Sequence, residues 1–225
     1  MNNRARTFGR AALWALPIWA AMLFAGTLTH QPDAHTDFAG FAKYVTTSEF
    51  LWSHLINSIT GAAIGSIGTV AMVLYLQDTR AAGRAIVGMT ATIFGNTLTS
   101  AIFGEAAFTQ TALGRAYLAG NQTAPALYDA VYSAPLFLTA VVGLLLFIIG
   151  GIFIGIAIAA SGRFPRWAGW VYAISAVCFV LSNFTIPEGQ TPFSVLLFIA
   201  TVVVAWTASR QPRAQEVQTA RSVEP

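Results

Sequence analysis

With 225 residues, 56 % of them hydrophobic, 9 % charged and a mean hydropathy of +0.63, the chain is too apolar for a water-soluble domain. An average soluble domain carries about 25 % charged residues and needs polar cover on its exterior. The net charge of +3 is spread over arginines placed in ones and twos, with no basic patch interleaved with aromatics, so no nucleic-acid partner is expected.

Six apolar stretches can be drawn, over 11–28, 55–76, 85–104, 135–160, 168–186 and 192–208. Each is close to the roughly 20 residues that cross a hydrocarbon core about 30 Å thick. The expected fold class is all-α: one polytopic domain over 1–225, a bundle of six transmembrane helices with a short tail over 209–225. The lipid bilayer is its first partner.

The first stretch follows Arg4, Arg6 and Arg10 and holds Pro17 in mid-run, where a kink is expected. Its length exceeds the 7–15 apolar residues typical of a signal core, and no A-x-A site follows, so it is read as a retained anchor. In the loop that comes next, Phe38, Phe41 and Val45 recur at helical spacing and predict a short helix lying in the interface. Thr46-x-x-Glu49 fits a capping box, so the second helix should begin near Thr47.

The second span presents Gly61, Gly65 and Gly68 on one face, with Ile59, Ala63, Ile67 and Leu74 on the other. Gly61-x-x-x-Gly65 is a small-residue pair that lets another helix approach, and Gly151-x-x-x-Gly155 repeats it in the fourth span. Residues 77–84 and 161–167 make two short basic turns. A shift of 83 residues aligns Arg80 with Arg163, Thr99 with Ser182 and Glu105 with Glu188, a hint of a duplicated hairpin. Residues 105–134 form the longest loop, with a helix start at Thr123 and Pro125; its Tyr128 and Tyr132 should lie at the depth of Tyr44 and Trp52, and the four make an aromatic belt.

Threading the spans alternately places Arg4, Arg6, Arg10, Arg80, Arg84, Arg163, Arg166, Arg210, Arg213 and Arg221 on one side, and leaves Lys43 and Arg115 on the other. Short Lys- and Arg-rich loops stay in the cytoplasm, which predicts cytoplasmic N- and C-termini. Six spans with small loops fit the general pattern of bacterial inner-membrane proteins, so the inner (plasma) membrane is the expected location.

The middle of every span is free of charge, which argues against a buried proton relay or voltage sensor. What remains is a group of polar residues in the outer half. His54, Asn57, Asn96, Glu105 and Asn183 are expected to converge there and line an outward-facing polar pocket, because buried amides and a rim carboxylate avoid lipid by sharing an interior. The competing reading of Asn96 is an interhelical hydrogen bond. The outer histidines, His30, His35 and His54, match no helical ligand spacing. Cys178 stands alone, so neither a disulfide nor a thiolate metal site can be built, and no cofactor is expected. No phosphate-binding loop, zinc-protease or hydrolase signature occurs.

Three readings of function follow. The first is a small transporter or permease-like protein with the outward pocket. The second is a non-catalytic membrane subunit that packs against a membrane protein partner or a second copy. The third is a membrane enzyme or metal-binding protein working at the outer rim through His54 and Glu105. A non-enzymatic role is the leading expectation.

Overall fold

The computed structural model describes residues 3–186 and 189–210, with only the backbone of 3–6. Among the described residues the chain is helical and contains no strand. Six helices are long and apolar enough to cross a membrane, which makes this a multi-pass membrane protein: Thr7–Gly26, Ser48–Leu76, Ala82–Leu118, Ala134–Ala160, Arg166–Thr185 and Gln190–Arg210.

The first span is two helices, α1 (Asn3–Ala12) and α2 (Ala15–Gly26). Its break falls at Leu13 and Trp14, one turn before Pro17. Proline lacks the N–H that would bond the Leu13 carbonyl, and that carbonyl accepts instead from Leu16 N at 3.1 Å. The second span comprises α4 (Ser48–Trp52), a wide-turn π segment (Ser53–Thr60) and α5 (Gly61–Leu76). Its N-cap is Thr47, whose hydroxyl accepts from Phe50 N at 3.2 Å, so the expected Thr46–Glu49 box is displaced by one residue. The third span joins α6 (Ala82–Glu105), a second π segment (Ala106–Gln110) and α7 (Thr111–Leu118). This helix overruns the expected boundary at 104 and takes up the first half of the predicted long loop. The remaining spans are α9 (Ala134–Ala160), α10 (Arg166–Thr185) and α11 (Gln190–Arg210).

The spans close a ring in chain order. Each packs on the next, and α11 returns to α2. One end carries Arg10, Arg80, Arg84, Arg163, Arg166 and Arg210, and is called the terminal face; the other is the loop face. Arg213 and Arg221, and Glu188 of the proposed duplication, lie outside the described residues.

Glycine sets the closest approaches. A Cβ on Gly65 would lie 2.9 Å from the Trp19 ring and one on Gly68 2.6 Å from Leu16, so α5 meets α2. At Gly61 the nearest atom would be 3.5 Å away, ordinary contact, so the tight pair is Gly65 and Gly68 rather than Gly61 and Gly65. The fourth span meets α10 in the same way: a Cβ on Gly155 would lie 2.6 Å from Gly169 O. On the opposite face Ala63 and Ile67 are exposed, Ile59 is half-buried, and Leu74 meets α1 at Gly9.

On the terminal face the turn after α9 is tied to the turn after α5. Arg163 donates to Tyr75 O at 2.5 Å and to Asp78 Oδ1 at 2.7 Å, and its guanidinium sits 5.3 Å from the Tyr75 ring centroid. Phe164 packs on the same ring. On the loop face α3 (Phe38–Val45), α7 and α8 (Ala124–Val131) form a cap. Phe41 and Val45 are fully buried in it, so α3 turns its apolar face toward α7. Thr111 Oγ1 donates to Val45 O at 2.9 Å and locks the two helices.

Candidate functional site

The ring is filled at one end and hollow at the other. Its terminal half holds the continuous core built on Leu13, Met72, Tyr75, Ile154, Ile158, Tyr172 and Val204. Its loop half holds a cavity of about 410 Å³, lined by residues from all six spans. Trp19 and Phe147, from α2 and α9, belong both to the core and to the cavity wall. Their rings pack 5.9 Å apart and form the floor.

Asn57, Asn96 and Asn183 line this cavity. The three come from the π segment of the second span, from α6 and from α10, and the ring brings them together. Asn96 is 4 % exposed. Its Nδ2 donates to Ala62 O at 2.9 Å and to Ser66 Oγ at 3.1 Å, so it fastens α6 to α5 and borders the cavity at once. Thr99 also lines the space, but its hydroxyl turns back to Gly95 O at 3.0 Å.

His54 and Glu105 are not among the lining residues, which corrects the expected convergence of five. His54 Nδ1 bonds Phe50 O at 2.9 Å, and its ring packs against Phe50 and Phe103. The wide turn of the π segment rotates positions three apart further from each other than an α-helix would, and Asn57 takes the cavity side. Glu105 stands where α6 passes into the second π segment, with its carboxylate beside Tyr132. Among the described residues neither of its buried oxygens meets a hydrogen-bond partner. Gln110, 5 % exposed, donates to the Tyr132 hydroxyl and accepts from Gln31 at 3.2 Å. Burial raises the Tyr132 phenol above its ordinary range, and the neighbouring Glu105 carboxylate raises it further. Tyr128, stacked on Tyr132 at 4.4 Å, is raised for the same first reason.

Outside the spans, Asp33 is held below the usual carboxylate range by the backbone N–H groups of Thr36 and His35. The His35–Asp129 pair, 3.7 Å apart with both side chains largely exposed, contributes little. Among the described residues no group of three or more His, Cys, Asp or Glu side chains is placed to hold a metal ion.

The sequence reading missed the aromatic part of the lining: Trp19, Phe103, Phe137, Phe147, Phe179 and Phe184. Hydropathy gives a phenylalanine facing a cavity the same signal as one facing lipid. The cavity as built can enclose a small molecule, hold it against aromatic walls and offer it a few neutral hydrogen-bonding groups. Comparison of the chain with protein-family models, curated proteins and solved structures finds no match.

Proposed function

We propose that this multi-pass membrane protein binds a small molecule in the loop-face cavity and works as a small permease-like carrier. The observation that carries the reading is the asymmetry of the ring, hollow in one half and packed in the other, with no charged residue among the described residues that line the hollow. The distribution of arginines supports a cytoplasmic terminal face and an outward cavity, and the membrane we assign is a bacterial inner membrane. On this reading the Arg163–Asp78–Tyr75 contacts are the latch of a closed inner gate.

Asn96 favours a second reading. Its amide nitrogen is already committed to α5, as in a subunit whose polar residues serve packing alone.

Cysteine reactivity separates the two. Ala205 is fully buried in the terminal half. With Cys178→Ala as background, Ala205→Cys should react slowly with a small thiol reagent. Adding Arg163→Ala should speed the reaction about tenfold, the factor that a latch worth about 1.4 kcal/mol would hold back. No acceleration would favour the static subunit.

A further inference from the structure

We infer that the ligand of this cavity is a neutral, ring-bearing amphiphile that reaches it from the hydrocarbon of the membrane; the inference rests on the cavity reading above. Among the described residues the lining is uncharged, and its polar groups are Asn57, Asn96, Asn183, Gln190 and three hydroxyls. An anionic ligand would leave an unpaired ion in this setting, at a cost of several kcal/mol, and a cation would have only the aromatic ring faces, worth about 0.5–2 kcal/mol, against the same cost. A hydroxyl or carbonyl on the ligand needs only one or two neutral partners. The Asn96 amide donates to α5, so its carbonyl oxygen is the group it can turn to a ligand.

The walls select for rings. Trp19, Phe103, Phe147 and Phe179 can stack on, or meet edge-to-face, a flat unsaturated group at centroid distances of about 4.5–7 Å. The volume, about 410 Å³, is near the lower end of the range of about 300–1,000 Å³ for small-molecule sites.

The mouth indicates the route. Phe137 at the start of α9 and Phe184 near the end of α10 both line the cavity and are both 63 % exposed. These are the loop-face ends of adjacent spans. Two exposed aromatic rings at that level let the ring of a molecule dissolved in the outer leaflet enter along them without desolvation, and the exposed Asn183 beside Phe184 offers its polar end a partner.

Three probes on one ring system test the inference, with the full chain in nanodiscs and thermal unfolding as the readout. The neutral 2-naphthol should raise Tm saturably, by about 3–6 °C at ten times its Kd. The anionic 2-naphthoate and the cationic 2-naphthyltrimethylammonium should leave Tm unchanged. Ala140→Trp and Val141→Trp each put an indole into the cavity, and either one that folds should abolish the 2-naphthol shift. A saturable shift by a charged probe, also lost in these variants, would overturn the neutral class while leaving the cavity as a binding site. A 2-naphthol shift that survives both variants, or none at all, would overturn both the inference and the cavity reading.

Discussion

Replacing Gly169 with alanine is expected to destabilise the bundle by about 3 kcal/mol, the upper part of the usual range for overpacking. The added methyl group would meet Gly155 O and, at 2.5 Å, Ala159 N. Both are backbone atoms of α9, so no side chain can swing aside, and the helices must part along a seam that also joins Gly155 to Ala173. Ile67→Ala, on an exposed face of α5, should be close to silent by comparison. Thermal unfolding of both variants beside the parent in one detergent checks this. Equal losses would show that the helix faces are wrongly assigned.

Asn96→Leu should cost about 1–2 kcal/mol, the range measured for polar contacts between membrane helices. It removes both bonds to α5, while Ala62 O still accepts from the Ser66 hydroxyl, so no buried carbonyl is orphaned. The leucine also extends into the cavity, so the 2-naphthol shift should fall along with the Tm of the free protein. A stability loss with the ligand shift fully retained would make Asn96 a packing residue and nothing more.

The spans were legible in the sequence because the bilayer fixes their length and removes charge from their interior; the third alone was misjudged substantially. Glu105 looked like the end of that helix, since a carboxylate marks the edge of an apolar run. The π segment carries the backbone past it, and Thr111, Leu113 and Gly114 then pack α7 into the cap, with Thr111 and Gly114 against α3. The glycine faces were legible from spacing, but the partner helix was not. Only the closed ring places Trp19 and Leu16 opposite Gly65 and Gly68. The polar part of the cavity wall was legible. Asparagines in hydrocarbon must find an interior, so Asn57, Asn96 and Asn183 could be grouped from sequence. His54 and Glu105 carry the same sequence signal as the asparagines, because a one-turn widening decides which way each points and has no compositional signature. The aromatic lining had no sequence signal for a similar reason.

Thiol reactivity at two depths distinguishes a hollow loop half of the ring from a packed one. In the Cys178→Ala background, Thr99→Cys places a thiol on the cavity wall, and Ala200→Cys places one in the packed core of α11. With the protein in nanodiscs, a small neutral thiol reagent should modify Thr99→Cys readily and Ala200→Cys hardly at all, and 2-naphthol should slow the first reaction. A Thr99→Cys thiol as inert as that of Ala200→Cys, with both variants folded, would mean that the ring is packed through both halves and would contradict the account.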